Sequence, residues 1–426
     1  MQGPAGPFFH RLSRDLSSVG AQVIKVNFNG GDWLFYPTGA FNFRGRMEEW
    51  PAYFEDLLSR YKIDVVLLFG DCRPMHRVTS EIIQRRGLEI GVFEEGYVRP
   101  SFVTFERFGV NGNSLMPRNP EFYLNCQKNQ IAPFLNVGKM FWHAALWAGL
   151  YYLAASLLKP FFKQYEHHRP LTWLEGFKWV RSVWRKAYYA VKERGVAERL
   201  TGPLSNKYFL VPLQVHNDAQ IHVHSEYDSV THFISDVIDS FAEHAPKKTV
   251  LVIKHHPMDR AYFDYSLLIE SLVLKYKLQN RCFYIHDQHL PPLLKHARGV
   301  VVVNSTVGLS ALYHRAPVKA CGNAMYDMKG LTFQGSLTQF WRNAHQARPN
   351  KELYECFLHY LIQHTQLNGS FYKRLRIPSM ASGLLWTDKK TVSQDAQTSY
   401  SNHFEHTPYA HMSYGEGVSI RLKRRI

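Results

Sequence analysis

Two segments decide the fold: TVLVIKHHPMD over residues 249–259, and CFYIHDQHLPPLLKHARGVVVVNSTVGLS over residues 282–310. Residues 250–253 and 300–303 are short β-branched runs bounded by polar residues, the pattern of strands buried on both faces of a parallel sheet. Each run ends in groups suited to an anion, Lys254-His255-His256-Pro257 after the first and Asn304-Ser305-Thr306 after the second. Open α/β sheets bind ligands beyond the carboxyl ends of their strands. The spacing over 307–314 predicts a helix, so Ser305, Thr306 and the free N–H groups at its start would face a phosphate. Lys254 and His256 would bring positive charge and a proton to the same group. Lys254, His256, Pro257, Asn304, Ser305 and Thr306 are therefore the candidate nucleotide-binding residues.

The 426 residues suffice for two cored domains with insertions. A net charge of +16, with 22 histidines counted neutral, calls for an anionic partner. Phosphorylated substrates, anionic lipid and nucleic acid all qualify on charge; nucleic acid is the weakest of these, because no recognised nucleic-acid motif is present, and no nucleic-acid partner is expected. Five scattered cysteines without a CxxC pair fit a reducing cytosol and no structural zinc. The opening residues show no signal-peptide pattern. Residues 1–9 read as a loop entering a helix without the strand that would feed it, so a missing first strand is expected.

The first half alternates strands over 22–28, 64–69 and 89–93 with helices over 8–18, 48–61 and 78–86. That alternation predicts a Rossmann-like half on a parallel sheet. Its strand ends carry Asn29, Asp71 and the run Glu94-Glu95-Gly96-Tyr97-Val98-Arg99-Pro100. Adjacent carboxylates on a strand point to opposite sides. One is expected to face the cleft as base or nucleophile and the other to be held by backbone or Arg99. The plain alternative is a solvated acidic turn. Residues 102–114 read as a strand pair around a Gly-Asn turn, with Asn111, Asn113 and Ser114 as acceptor-side candidates or simply turn residues.

Between 126 and 200 the composition changes. Residues 141–158 are uncharged apart from His143, at the lower edge of a membrane span. The basic and aromatic stretch that follows, with Trp173, Trp179, Trp184, Tyr188 and Tyr189 beside Lys178, Arg181, Arg185 and Lys186, suits an anionic membrane interface. A helical hairpin packed on the protein is the alternative. A second α/β half opens with a strand over 207–213, closing at Pro212. Gln214 and His216 follow as further acceptor-side candidates. His222 and His224, two apart, read as a strand face, more ordinary as surface than as metal ligands. Helices are expected over 230–244, 337–344 and 352–367, and a short strand over 316–320. From 381 the chain reads as a polar, basic tail. The expected domains are 1–125 (acceptor side), 126–200 (helical insert), 201–345 (nucleotide-binding), 346–380 (helices) and 381–426 (tail).

Three motifs in this order, Glu94-Glu95-Gly96, the K-x-H-P at Lys254–Pro257 and Ser305-Thr306, resemble bacterial transferases that use CMP-activated ulosonic acids, sialic acid and Kdo. The phrases QGPAGPFF, KVNFNGGDW, FEEGYVRPSFVTFERFGVNGNS and VPLQVHNDAQI resemble capsule polysaccharide proteins of the KpsS/LipB type, over most of residues 1–345. The resemblance implies a GT-B-like α/β fold, two Rossmann-like domains facing a cleft with a helical membrane-facing insert. It further implies transfer of the first β-Kdo from CMP-β-Kdo to a phosphatidylglycerol-type lipid, on the inner face of the cytoplasmic membrane, to which the protein would be peripherally bound beside other capsule proteins. Glu95 would be the catalytic carboxylate, with Glu94 second; His256 would stabilise or protonate the leaving phosphate. No metal or cofactor is expected. Retention of configuration, also implied, leaves open whether Glu95 is a base or a nucleophile. The alternatives are a non-catalytic export scaffold, and a transferase using another CMP- or CDP-activated donor.

Overall fold

The computed structural model describes residues 1–127, 133–165, 175–378 and 380–386, with the backbone alone for 175–179. Trp173, the side chains of Lys178 and Trp179, and the tail beyond residue 386 lie outside the described residues. The strands in chain order are β1 (Lys25–Asn27), β2 (Ala40–Asn42), β3 (Val65–Phe69), β4 (Glu89–Glu95), β5 (Phe102–Arg107), β6 (Tyr208–Pro212), β7 (Val250–Lys254), β8 (Cys282–Ile285), β9 (Gly299–Val302), β10 (Val318–Ala320) and β11 (Gln366–Asn368). The chain divides into two compact units. One takes the described residues of Met1–Pro117, Lys128–Trp173 and His359–Ile426; the other takes those of Arg118–Gln127 and Leu174–Leu358.

The second unit is built on a five-stranded, wholly parallel sheet in the order β10-β9-β6-β7-β8. Strands β6, β7 and β9 are buried along their full length, which is why they read as unbroken apolar runs. Phe233, Val237 and Phe241 of the helix Val230–His244 pack with Trp341 against Phe209, Leu251 and Val301 of the sheet. The chain lays down β6, β7 and β8 in one direction, then returns to the other side of β6 for β9 and β10. The order reverses between β6 and β9, the switch point where open α/β sheets take ligands.

The first unit departs from the expected parallel sheet. A parallel pair, β1 with β2, stands apart, and a four-stranded sheet runs β11-β5-β4-β3. Only β3 and β4 are parallel there; β5 runs antiparallel to β4, and β11 antiparallel to β5. The cause is local. Six residues separate β4 from β5, too few for the crossover that a parallel neighbour needs. The return is tight at Gly96, where an added Cβ would lie 2.0 Å from the Phe102 carbonyl oxygen. Backbone cannot yield as a flexible side chain does, so Gly96→Ala should lower stability by about 2 kcal/mol or more, read as a shift in the urea midpoint.

Other expectations are corrected. Residues 102–114 form one strand followed by a 3-10 turn, Asn111–Asn113, instead of a strand pair. His222 and His224 lie on a short helix, Ala219–His224, started by the Asp218 side chain accepting from the Gln220 N–H at 3.0 Å. The helix Lys351–Thr365 stops two residues short of the expected end, and Gln366–Asn368 becomes β11. Residues 141–157 are a helix of the first unit, whereas the helix Glu175–Lys192 belongs to the second. Among the described residues, no helix is long and apolar enough to cross a membrane.

Candidate functional site

At the switch point the residues after β6 and β9 hold one another. The Gln214 amide donates to Asn304 Oδ1 at 3.0 Å and to Asp218 Oδ2 at 3.0 Å, while Asn304 Nδ2 donates to the Gln220 carbonyl at 2.9 Å. Asn304 is fully buried. It therefore sets the edge of the sheet, and half-buried Ser305 and Thr306 next to it face outward. Gln214, expected on the acceptor side, lies at this edge of the sheet bonded to Asn304. Ser305 Oγ accepts from the Val307 N–H at 3.2 Å, and its carbonyl accepts from the Tyr326 hydroxyl at 2.6 Å. Tyr326 crowds the next turn so closely that a Cβ at Gly308 would meet its hydroxyl at 2.1 Å.

The strand end of β7 sorts its three basic residues by burial. Lys254 is buried and donates to the His286 carbonyl at 3.0 Å; burial lowers its ammonium from the ordinary value, with Asp287 and Glu193 opposing the shift. His255 points inward, its Nδ1 2.6 Å from the Tyr284 hydroxyl. Burial pulls its imidazole down to about 3, so it is neutral at pH 7. His256 is half-buried and caps the turn Pro257–Asp259, its Nδ1 accepting from the Met258 N–H at 3.2 Å. That bond places the proton of the neutral ring on Nε2. Nε2 thus carries its hydrogen at the strand end where the sequence placed a candidate phosphate contact. Pro257 itself is exposed at the tip of the turn.

Two carboxylates that the sequence did not single out, Asp259 and Glu193, complete this edge together with Tyr189. Asp259, almost fully buried, lies 2.6 Å from His216 Nδ1 and accepts the His216 backbone N–H, fixing that ring. Glu193 lies 2.7 Å from His286 Nδ1 and takes the His286 backbone N–H at 2.8 Å. Hydrogen bonds from His286 and Gln288 outweigh the burial of Glu193 and hold its carboxyl below the usual range. Tyr189 stacks flat on the His286 ring, centroids 3.4 Å apart. The partners are 43 and 93 residues apart, so no local signal announces them.

In the first unit the two carboxylates at the end of β4 part as alternation requires. Glu94 Oε1 accepts from the Glu95 backbone N–H at 3.0 Å, and Oε2 lies near Gly70, where a Cβ would come within 3.1 Å. Glu95 Oε1 accepts from the Tyr372 hydroxyl at 2.6 Å. Arg99, exposed, holds neither; its Nε donates to the Gly96 carbonyl at 3.1 Å. Asp71 is buried, its Oδ2 accepting from the Val110 N–H at 3.1 Å and from Asn113 Nδ2 at 2.9 Å. Asn111 adopts a positive φ of 52° and its N–H donates to the Tyr97 hydroxyl. These residues brace the loop behind the carboxylates. Asn29 caps the helix Gly30–Phe35 and donates to the Tyr151 hydroxyl at 2.7 Å.

Burial pushes the Glu94 carboxyl up to about 7; the charge of Glu95 adds to the shift, and the Glu95 N–H and Arg73 oppose it. Between its ordinary value of 4.5 and 7 the unfolded chain releases a proton that the folded chain keeps. Stability from this group is therefore full below pH 4.5 and is lost as pH rises to 7. Denaturant titrations at pH 5 and pH 8 should show a fall of about 1–3 kcal/mol, which Glu94→Gln removes. No group of histidines, cysteines and carboxylates that could hold a metal is found among the described residues.

The second unit's parallel sheet with its switch point, and the first unit's adjacent glutamates at the end of β4, define a two-unit α/β protein. The chain belongs to the capsule polysaccharide biosynthesis protein family, whose sequence profile matches residues 64–372. It is 42% identical over 378 residues to the Escherichia coli capsule polysaccharide export protein KpsS, covering 87% of this chain and 96% of that protein. It is 38% identical over 389 residues to the capsule polysaccharide modification protein LipB of Neisseria meningitidis serogroup B, covering 89% and 92%. Among solved structures, Thermosulfurimonas dismutans KpsC, a beta Kdo 2,7 transferase, aligns with a TM-score of 0.42 at 18% identity, over 84% of this chain and 94% of that one.

Proposed function

We propose that the protein is a glycosyltransferase that moves Kdo from CMP-β-Kdo to a phosphatidylglycerol-type lipid, starting the β-Kdo linker of a capsular polysaccharide. It would act as a GT-B-type enzyme, peripheral on the cytoplasmic face of the inner membrane, beside other capsule proteins and without a metal or cofactor. The observation that carries this reading is the edge of the parallel sheet, where His256 Nε2–H and the Ser305-Thr306 pair follow β7 and β9 on either side of β6. Membership of the capsule polysaccharide biosynthesis family supports it.

Breaking the ketosidic bond sends its electron pair to the phosphate oxygen of CMP while positive charge develops on the sugar ring. Donors aimed at that oxygen act where the charge appears. In this reading Lys254 sets the local potential from beneath the strand end, and His256, Ser305 and Thr306 meet the phosphate. The acceptor hydroxyl oxygen bonds to the anomeric carbon, and its proton passes to Glu95 acting as base. If configuration is retained, Glu95 either bonds first to the anomeric carbon and is then displaced by the acceptor, or assists front-face attack. The test is incubation with CMP-Kdo and a fluorescent phosphatidylglycerol analogue, followed by mass spectrometry. A lipid carrying one added Kdo is the expected product. An unmodified lipid, with CMP-Kdo intact and the protein folded, would overturn the proposal.

A further inference from the structure

Both helices of the aromatic region turn apolar side chains outward: the first is apolar all round, and the second is amphipathic with its apolar side exposed. On the helix Phe141–Leu157 of the first unit, Trp142, Leu146, Leu153 and Leu157 form one stripe, and all are exposed, Trp142 by 80% and Leu157 by 68%. The opposite face is tied inward. Trp147 Nε1 donates to the Tyr372 carbonyl at 2.9 Å, and the buried Tyr151 hydroxyl donates to Asp32 at 3.2 Å. On the helix Glu175–Lys192 of the second unit, Val180, Val183, Trp184, Tyr188 and Val191 are exposed, Trp184 by 63% and Val191 by 66%. Here the inward line is polar: Arg185 donates to the Arg260 carbonyl at 2.8 Å and pairs with Asp264, and Tyr189 covers His286. With about 100° between successive residues, each apolar stripe lies roughly opposite its inward face. A water-soluble surface helix shows the reverse arrangement.

Charge identifies what covers these stripes. Exposed Lys139, Lys159 and Lys163 flank the first, and exposed Arg181, Lys186 and Lys192 flank the second. No acidic residue occurs from 139 to 163 or from 176 to 192. A contact between copies of the chain would press like charges together at both rims. An apolar stripe edged only by cations matches the interfacial region of an anionic bilayer, where acyl chains take the apolar side chains and headgroups take the lysines and arginines. We propose that each unit carries a bilayer-docking helix of this kind and that the protein binds anionic membrane through both. The inward contacts give the surface a further meaning. The first helix is joined through Tyr372 to Glu95, and the second through Tyr189 to His286, whose carbonyl accepts from Lys254. Each docking helix is therefore fastened directly to the candidate site of its own unit.

The test uses the full chain and vesicles of phosphatidylcholine alone or mixed with phosphatidylserine, without donor or acceptor, so that it is independent of the transferase reading. The protein should sediment with the mixed vesicles, less at high salt, and little with phosphatidylcholine. Leu146→Glu with Leu153→Glu, and separately Val183→Glu with Trp184→Glu, should each weaken partition at least tenfold while CMP binding is kept. Unchanged partition in both variants would overturn the proposal. So would light scattering that shows an oligomer in vesicle-free solution which these substitutions dissociate, because the stripes would then join copies of the chain.

Discussion

Glu95→Gln should cut transfer by about a thousandfold while leaving the protein folded and able to bind CMP. The substitution keeps the size of the side chain and an oxygen to accept from Tyr372, which now bonds Glu95 Oε1 at 2.6 Å. What it removes is the ability to take a proton or to bond the sugar, and a well-placed acid–base group contributes about 10²–10⁴ in rate. The loss should therefore appear in kcat, with KM for the donor little changed. Glu94→Gln is the matched comparison: Glu94 faces the Glu95 backbone N–H and Gly70, away from Tyr372, and should retain most of the activity. Steady-state kinetics on both variants decide the matter. If Glu94→Gln is inactive and Glu95→Gln is not, the roles of the two carboxylates are exchanged.

His256→Ala should lower kcat about a hundredfold, the scale on which one donor to a developing anion acts. It should weaken CMP as well, since the same Nε2–H would meet the phosphate of the product. Calorimetric titration with CMP reads the second effect without any transfer. The neighbouring His255 is the control that separates chemistry from architecture. Buried, neutral and bonded to Tyr284, it should cost stability when replaced by alanine and leave the affinity of the remaining folded protein for CMP nearly unchanged. CMP binding by His256→Ala equal to that of the wild type would remove His256 from the phosphate site.

The parallel sheet was legible in the sequence because β6, β7 and β9 are apolar on both faces and so leave an unbroken signal. The first sheet was not. The direction of β5 is decided by the six-residue connection from β4, too short for a crossover, and the length of a connection leaves no periodic trace. Strand β11 reads Gln-Leu-Asn, which resembles a helix end running into a loop; its polar side chains are buried because Gln366 donates to Thr104 and Asn368 to Ser101. The K-x-H-P and S-T segments could be found as strand ends, but not the division of labour among Lys254, His255 and His256, which depends on which side each residue faces. Tyr372 stands 277 residues from the carboxylate it holds, and Asp259 and Glu193 were likewise out of local reach. Short-range pattern locates an edge; the partners that fix the side chains come from elsewhere in the chain.

Strand β11 has a consequence for how the protein is made. It closes the sheet begun by β3, β4 and β5, yet the whole of the parallel-sheet unit is encoded between them. A ribosome adding about 5–20 residues per second needs on the order of ten seconds or more to travel from β5 to β11. Throughout that time β5 has emerged with an unpaired edge of backbone N–H and C=O groups, a template open to other strands. The inserted unit, contiguous from residue 174 to 358 apart from its short 118–127 segment, can fold first and on its own schedule. Birth order thus makes the parallel-sheet unit the early folder, and leaves the unit that carries Glu94 and Glu95 with an unpaired sheet edge until its final strand arrives.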